Sequence, residues 1–187
     1  MSTMTKHMAV KEPPARFRGQ RARMDAIDHE VLDLLQQDAG RTDAYIARRV
    51  GLSPSGLRKR LDKLERRQVI KGRVALLDRD AVGLGLLCFV QVSLTHHRRG
   101  PTQEFTDRIQ DLPEVLECHF LTGEHDYLLK VVATGNRHLE RILAKDLAAI
   151  PGVDRLRTSI VLNEVKGTTT LPLRSPTEEP APDPSAP

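Results

Sequence analysis

Between Ser53 and Arg66 the polar side chains are spaced to share one face of a helix. At about 100° per residue, Ser55, Lys59, Asp62, Lys63 and Arg66 gather opposite Leu57, Leu61, Leu64 and Gln68. A helix fits the major groove of a duplex, and hydroxyl, amide and basic groups can reach base edges there. Ser55 and Lys59, near the start of the helix, are placed for bases, and Lys63, Arg66 and the upstream Arg41 for phosphates. With Ser53 at the helix start, the candidate DNA-contacting set is Arg41, Ser53, Ser55, Lys59, Lys63 and Arg66. Arg58, Arg60 and Arg67 flank the apolar side, where ion pairs with Asp62 or Glu65 account for them as well as DNA does. Gly56 costs roughly 1 kcal/mol against Ala inside a helix; close backbone approach to DNA and simple tolerance are both open readings.

Charge segregation supports a polyanionic partner. Residues 41–73 hold eleven Lys/Arg against three Asp/Glu, a net +8 on a chain whose total is +4. Residues 1–24 carry +5, residues 25–40 carry −5 and residues 74–187 carry −4. A compact basic segment on an otherwise slightly acidic chain is the footprint expected for nucleic acid. Catalytic chemistry finds less support. His96-His97, His119 and His125 are scattered, and no carboxylate pair or nucleophile shares the His96-His97 locus. Cys88 and Cys118 lie in apolar strand-like runs without CxxC spacing, so they read as small core residues. No metal, no cofactor and no catalytic residue is expected.

The elements that must position the basic face are three helices over residues 25–71. Ile27, Val31, Leu34 and Leu35 form an apolar stripe that Asp25 can cap and Gly40 ends. Thr42 caps a short second helix through Ile46, Ala47 and Val50, stopped at Gly51. Ser53-Pro54 opens the third, with Ser as N-cap and Pro where its missing N–H is harmless. Ala47 for close helix passage, Gly51 for the turn and Leu57 as the plug have helix-turn-helix spacing.

From about Leu86 the period switches. Strand-like runs at 87–94, 115–121, 127–133 and 153–165 alternate with helical stripes at Phe105/Ile109/Leu112 and Leu139/Ile142/Leu143/Leu147. The order βαββαβ predicts a ferredoxin-like four-stranded sheet with both helices on one face, so the fold class is α+β. The opposite sheet face, read as apolar, is the expected place for oligomer contacts. The chain thus divides into a disordered basic arm (1–24), the helix-turn-helix domain (25–71), a linker strand or hinge (72–85), the βαββαβ domain (86–173) and a Pro-rich tail (174–187). Hydrophobic residues make up 39% and aromatics only 3%, so both cores must be aliphatic. No apolar run nears the roughly 18 residues that span a bilayer, and the start lacks a signal-peptide block. A cytoplasmic, nucleoid-associated protein is expected.

Asp25-Ala-Ile-Asp28, Leu34-Leu-Gln-Gln-Asp-Ala-Gly-Arg41, Ala47-Arg-Arg-Val-Gly-Leu-Ser-Pro54 and Arg60-Leu-Asp-Lys-Leu-Glu65 resemble the DNA-binding half of Lrp/AsnC regulators. Pro113-Glu-Val115, Thr122-Gly-Glu-His-Asp-Tyr-Leu-Leu-Lys-Val131 and Ser159-Ile-Val-Leu-Asn-Glu-Val-Lys166 resemble their effector domain. The resemblance spans roughly Met24 to Leu173. It implies a homodimer paired through a linker strand at 73–78 and the sheet domain, assembling further, often to an octamer. It also implies an amino acid or related metabolite, such as a 2-oxo acid, held by Thr122, Gly123, Glu124, His125, Asp126 and Tyr127. In chemical terms, a glycine turn can offer N–H groups to a carboxylate and Asp126 can pair an ammonium; an ordinary hairpin loop explains the same residues. Tyr45 departs from the family, which usually has an acidic capping residue there, so weaker capping of the second helix is expected. Siroheme decarboxylases resemble the family in both domains, and an architectural DNA-wrapping protein without effector is the other alternative; the basic segment favours a regulator of transcription that binds double-stranded DNA.

Overall fold

The computed structural model describes residues 24–95 and 103–173. The expectations for the N-terminal arm, His96-His97 and the Pro-rich tail lie outside the described residues. The chain forms two compact units, one of residues up to Val74 together with residues from Thr168, the other Ala75–Gly167. Residues 168–173 therefore group with the N-terminal helices and not with the sheet.

In the first unit, α1 (Ala26–Gln37) begins at a reciprocal capping box. Asp25 Oδ1 accepts from Asp28 N (2.8 Å), and Asp28 Oδ2 accepts from Asp25 N (3.3 Å). Helix α2 (Asp43–Arg49) is capped by Thr42, whose hydroxyl accepts from Tyr45 N at 3.3 Å. With Tyr at that position the cap runs one way only. Helix α3 (Pro54–Arg66) is capped by Ser53, which accepts from Gly56 N at 3.1 Å. Both α2 and α3 end in Schellman turns. Leu52 N donates to Ala47 O (2.8 Å) around Gly51 (φ +67°), and Val69 N donates to Leu64 O (2.9 Å) around Gln68 (φ +57°). The core joins Val31 and Leu34 of α1, Ile46 and Ala47 of α2, and Leu57 and Leu61 of α3, all buried. Leu57 and Leu61 are fully enclosed, which stabilises the unit by about 1.5–3 kcal/mol each. Ala47, Gly51 and Leu57 thus do what their spacing predicts.

The second unit contains β1 (Leu86–Leu94), α4 (Gln103–Gln110), β2 (Val115–Phe120), β3 (Tyr127–Ala133), α5 (Asn136–Arg141) and β4 (Val153–Ile160). Helix α5 runs on through a wider π-helical turn, Ile142–Leu147. The strands form one antiparallel sheet in the order β2-β3-β1-β4. Alternation decides its faces. Cys88, Val90 and Val92 of β1 pair with Val131, Leu129 and Tyr127 of β3 and pack on Phe105, Ile109, Leu139 and Ile142 from the helices.

Three expectations are corrected here. The open face is mixed rather than apolar: beside Leu87, Phe89, Leu128 and Val132 it carries Gln91, Lys130, Glu117, His119 and Arg157, because these alternate with the core-facing residues. Glu117 accepts from Lys130 Nζ and pairs with His119 Nε2, both at 3.0 Å, and these contacts, that with His119 first, hold its carboxyl below the usual range. Cys118 is exposed while Cys88 is buried, since β2 is an edge strand. The last strand stops at Ile160, not 165. Within the single chain residues 73–78 pair with no strand, and Val74, Leu76 and Leu77 are each more than 70% exposed; the pairing expected of this segment is with a second copy of the chain.

Candidate nucleic-acid interface and ligand cleft

The exposed side of α3 is built from its core side outward. Leu57, Leu61 and Leu64 are each at most 1% exposed and lock the helix rotation. That rotation leaves Ser55, Lys59 and Arg66 exposed and Lys63 half-buried. Ser53 spends its hydroxyl on the cap and on a 3.2 Å contact with Ser55 Oγ. Lys63 leans towards α1, with Nζ 3.9 Å from Asp28 Oδ2. Arg41 lies in the turn before α2, its guanidinium 5.2 Å from the centre of the Tyr45 ring and its Nε 3.7 Å from Asp38. A Cβ on Gly56 would lie 3.2 Å from Ser53 Oγ, so this glycine leaves room for the cap that starts the helix.

The three flanking arginines are not equivalent. Arg58 pairs with Asp62 one turn on, at 3.1 Å, as the sequence suggests. Arg60 reaches neither Asp62 nor Glu65. Its Nη1 donates to both oxygens of Asp25 (2.9 and 2.7 Å) and to Asp28 Oδ1 (2.6 Å), on a helix 32 to 35 residues away in the chain. Asp28 is 1% exposed, the one buried charged residue among those described. Arg60 is therefore a fastener between α1 and α3. Its hydrogen bond, followed by that from Asp28 N, holds the Asp25 carboxyl below the usual range.

In the sheet unit, the β2–β3 loop contributes one wall of a cleft of about 400 Å³. Ser93, Leu94, Thr95, Gly123, Glu124, His125, Asp126, Asp154 and Arg155 line it. Gly123 has φ +125°, a conformation that L side chains rarely adopt. Asp126 Oδ2 accepts from Leu94 N at 2.7 Å, where β1 is irregular in its pairing with β4. His125 Nδ1 meets Ser93 Oγ at 3.2 Å. Of the six loop residues singled out from sequence, Gly123, Glu124, His125 and Asp126 line the cleft and Thr122 lies beside them. Tyr127 does not reach it. Its ring is 2% exposed, 4.4 Å from the Phe105 ring and 5.3 Å from the Phe120 ring, because strand alternation points it into the core. Sequence spacing does not bring Arg155 and Asp154 to this cleft. They arrive through the pairing of Ser93 with Arg155 across β1 and β4, a juxtaposition no local pattern encodes. The cleft thus offers a guanidinium to a carboxylate and several carboxylates to an ammonium.

Comparison with known proteins covers both units. Residues 24–71 match the model of a winged helix-turn-helix DNA-binding domain, and residues 87–171 match the Lrp/AsnC ligand binding domain. The chain is 34% identical to the leucine-responsive regulatory proteins of Klebsiella pneumoniae and Escherichia coli (strain K12) over 152 residues, covering 81% of this chain and 93% of each relative. Among solved structures, a transcriptional regulator of Neisseria meningitidis in complex with L-Met superposes with a TM-score of 0.74 at 36% identity, over 80% of this chain and 97% of that one. An AsnC family transcriptional regulator from Agrobacterium tumefaciens gives 0.71 at 31% identity, over the same shares. The described residues contain no helix long and apolar enough to cross a membrane. With a helix-turn-helix unit and a ligand-binding sheet unit in this order, matched over nearly the full length of its relatives, the chain belongs to the Lrp/AsnC family of transcriptional regulators.

Proposed function

We propose that this protein controls transcription by presenting paired α3 helices to duplex DNA, and that a small amino acid or 2-oxo acid in the β2–β3 cleft modulates that binding or the assembly behind it. The single observation that carries the reading is the leucine-locked rotation of α3, which turns Ser55, Lys59 and Arg66 to solvent. Ser55 and Lys59 approach base edges; Arg66, Arg41 and Lys63 hold phosphates, and Ser53 fixes the helix start. In the cleft, Arg155 takes the ligand carboxylate, the Gly123 turn and Thr122 close over it, and Asp126 or Glu124 pairs an ammonium where one is present. The protein works as a homodimer that assembles further, up to an octamer, at the nucleoid of the cytoplasm; linkage between ligand and assembly then changes DNA affinity.

The test is duplex affinity of Lys59→Ala/Arg66→Ala beside the parent protein, using the tightest-binding duplex selected from a random pool. Loss of binding, with unchanged folding by circular dichroism, supports the reading. Unchanged affinity refutes it.

A further inference from the structure

Gln36, in the last turn of α1, engages the main chain of one residue 135 positions away in both directions. Its Nε2 donates to Leu171 O at 3.1 Å, and its Oε1 accepts from Leu171 N at 2.7 Å. A carboxamide that satisfies the N–H and C=O of one residue together acts as a strand neighbour would. The Leu171 side chain is 67% exposed, so the main chain is what is held. Thr168 shapes the same segment, its hydroxyl accepting from Thr170 N at 3.1 Å.

The connectivity gives this contact a consequence. The chain passes between its two units twice, after Val74 and after Gly167. Within the sheet unit, the segments leading to the two crossings are pinned together by Arg79 Nη2 and Glu164 Oε2 at 3.1 Å. A unit joined by one linker samples a wide range of placements; a second tether narrows that range and raises the effective concentration of the remaining ones.

We propose that residues 168–173 are a strap, docked on α1 through Gln36, and that this second tether sets which spacing between half-sites the regulator accepts. The proposal rests on the reading that paired α3 helices engage paired half-sites. Releasing the strap leaves each α3 intact and frees its placement. Discrimination between spacings falls while affinity for one half-site stays.

Two variants remove the clamp by different atoms. Gln36→Ala deletes both hydrogen-bonding groups, and Leu171→Pro deletes the N–H that Oε1 accepts. Each is compared with the parent full-length protein on three duplexes: two half-sites at the preferred spacing, the same half-sites displaced by about 5 bp, half a helical turn, and a single half-site. The expected result is a loss of about fivefold or more in spacing discrimination, the low end of common coupling strengths. Single-site affinity stays within about twofold, and the double variant is no worse than either single one because both break one contact. Hydrogen exchange at the Leu171 amide should also quicken in Gln36→Ala. Unchanged discrimination overturns the strap, as does a parallel loss on the single half-site, which marks a folding role for Gln36. A parent protein that binds one half-site as well as two instead refutes the paired-site reading beneath it.

Discussion

Replacing Arg60 by Ala should destabilise the DNA-binding unit by about 3 kcal/mol although Arg60 lies on the most basic helix of the chain. The guanidinium makes three contacts of 2.6 to 2.9 Å to two carboxylates. Asp25 is half exposed, so its share is at most about 1 kcal/mol. Asp28 is 1% exposed, and stripping one partner from a buried ion pair commonly costs about 3–5 kcal/mol. Lys63 at 3.9 Å can move in and recover part of that, which brings the total to about 3 kcal/mol. Urea unfolding followed by far-ultraviolet circular dichroism measures the change, and Arg60→Met/Asp28→Leu should regain most of it because no lone charge is left behind. The pH dependence follows from Asp25, whose carboxyl the Arg60 hydrogen bond holds below its ordinary value. A depressed carboxylate stabilises above its unfolded pKa and loses that contribution as pH falls through the folded one. Arg60→Ala should therefore flatten the acid limb below about pH 4. A cost under about 1 kcal/mol would show that the buried carboxylate of Asp28 does not depend on Arg60, and an unaltered acid limb that the Asp25 carboxyl does not.

Three further outcomes are expected. Gln68→Gly should stabilise the unit by about 0.5–1 kcal/mol, because Gln68 occupies φ +57° at the Schellman turn where glycine is free of the Cβ penalty; a lower denaturation midpoint would contradict this. Gly51→Val should cost about 2 kcal/mol for the same reason reversed, φ +67° being hostile to a β-branched side chain, as read by the same midpoint. Arg155→Ala should weaken binding of the amino acid or 2-oxo acid that a thermal-shift screen of the parent protein selects by about tenfold or more in calorimetry, the worth of one charged hydrogen bond, without lowering the melting temperature, since Arg155 is exposed; undiminished binding removes it from the cleft.

What is legible in the sequence is what local chemistry decides. Asp25, Thr42 and Ser53 can be read as caps because a cap needs only its own next three residues. Leu57, Leu61 and Leu64 define the rotation of α3 because one face has to be buried. Strand parity settles Tyr127: it shares the core face with Leu129, Val131 and Ala133, whereas the loop resemblance alone places it among ligand-binding residues. The features that escape a sequence reading are long-range. Arg60 finds Asp25 and Asp28 because α1 crosses α3, Arg155 reaches the cleft through a strand register that shifts at Ser93/Leu94, and Gln36 meets a residue beyond the sheet unit. The open sheet face differs from expectation because the apolar count of a strand says little until it is known which alternate residues face the helices.

The central claim is that α3 turns a cationic face to phosphates, and the salt dependence of duplex binding tests it most directly. If a dimer neutralises several phosphates through Arg41, Lys63 and Arg66, log K should fall with log salt at a slope of about −4 or steeper, and Arg66→Ala should make it shallower by roughly one unit for each phosphate left without its cation. A slope near zero in the parent protein, or one the substitution leaves unchanged, would contradict it.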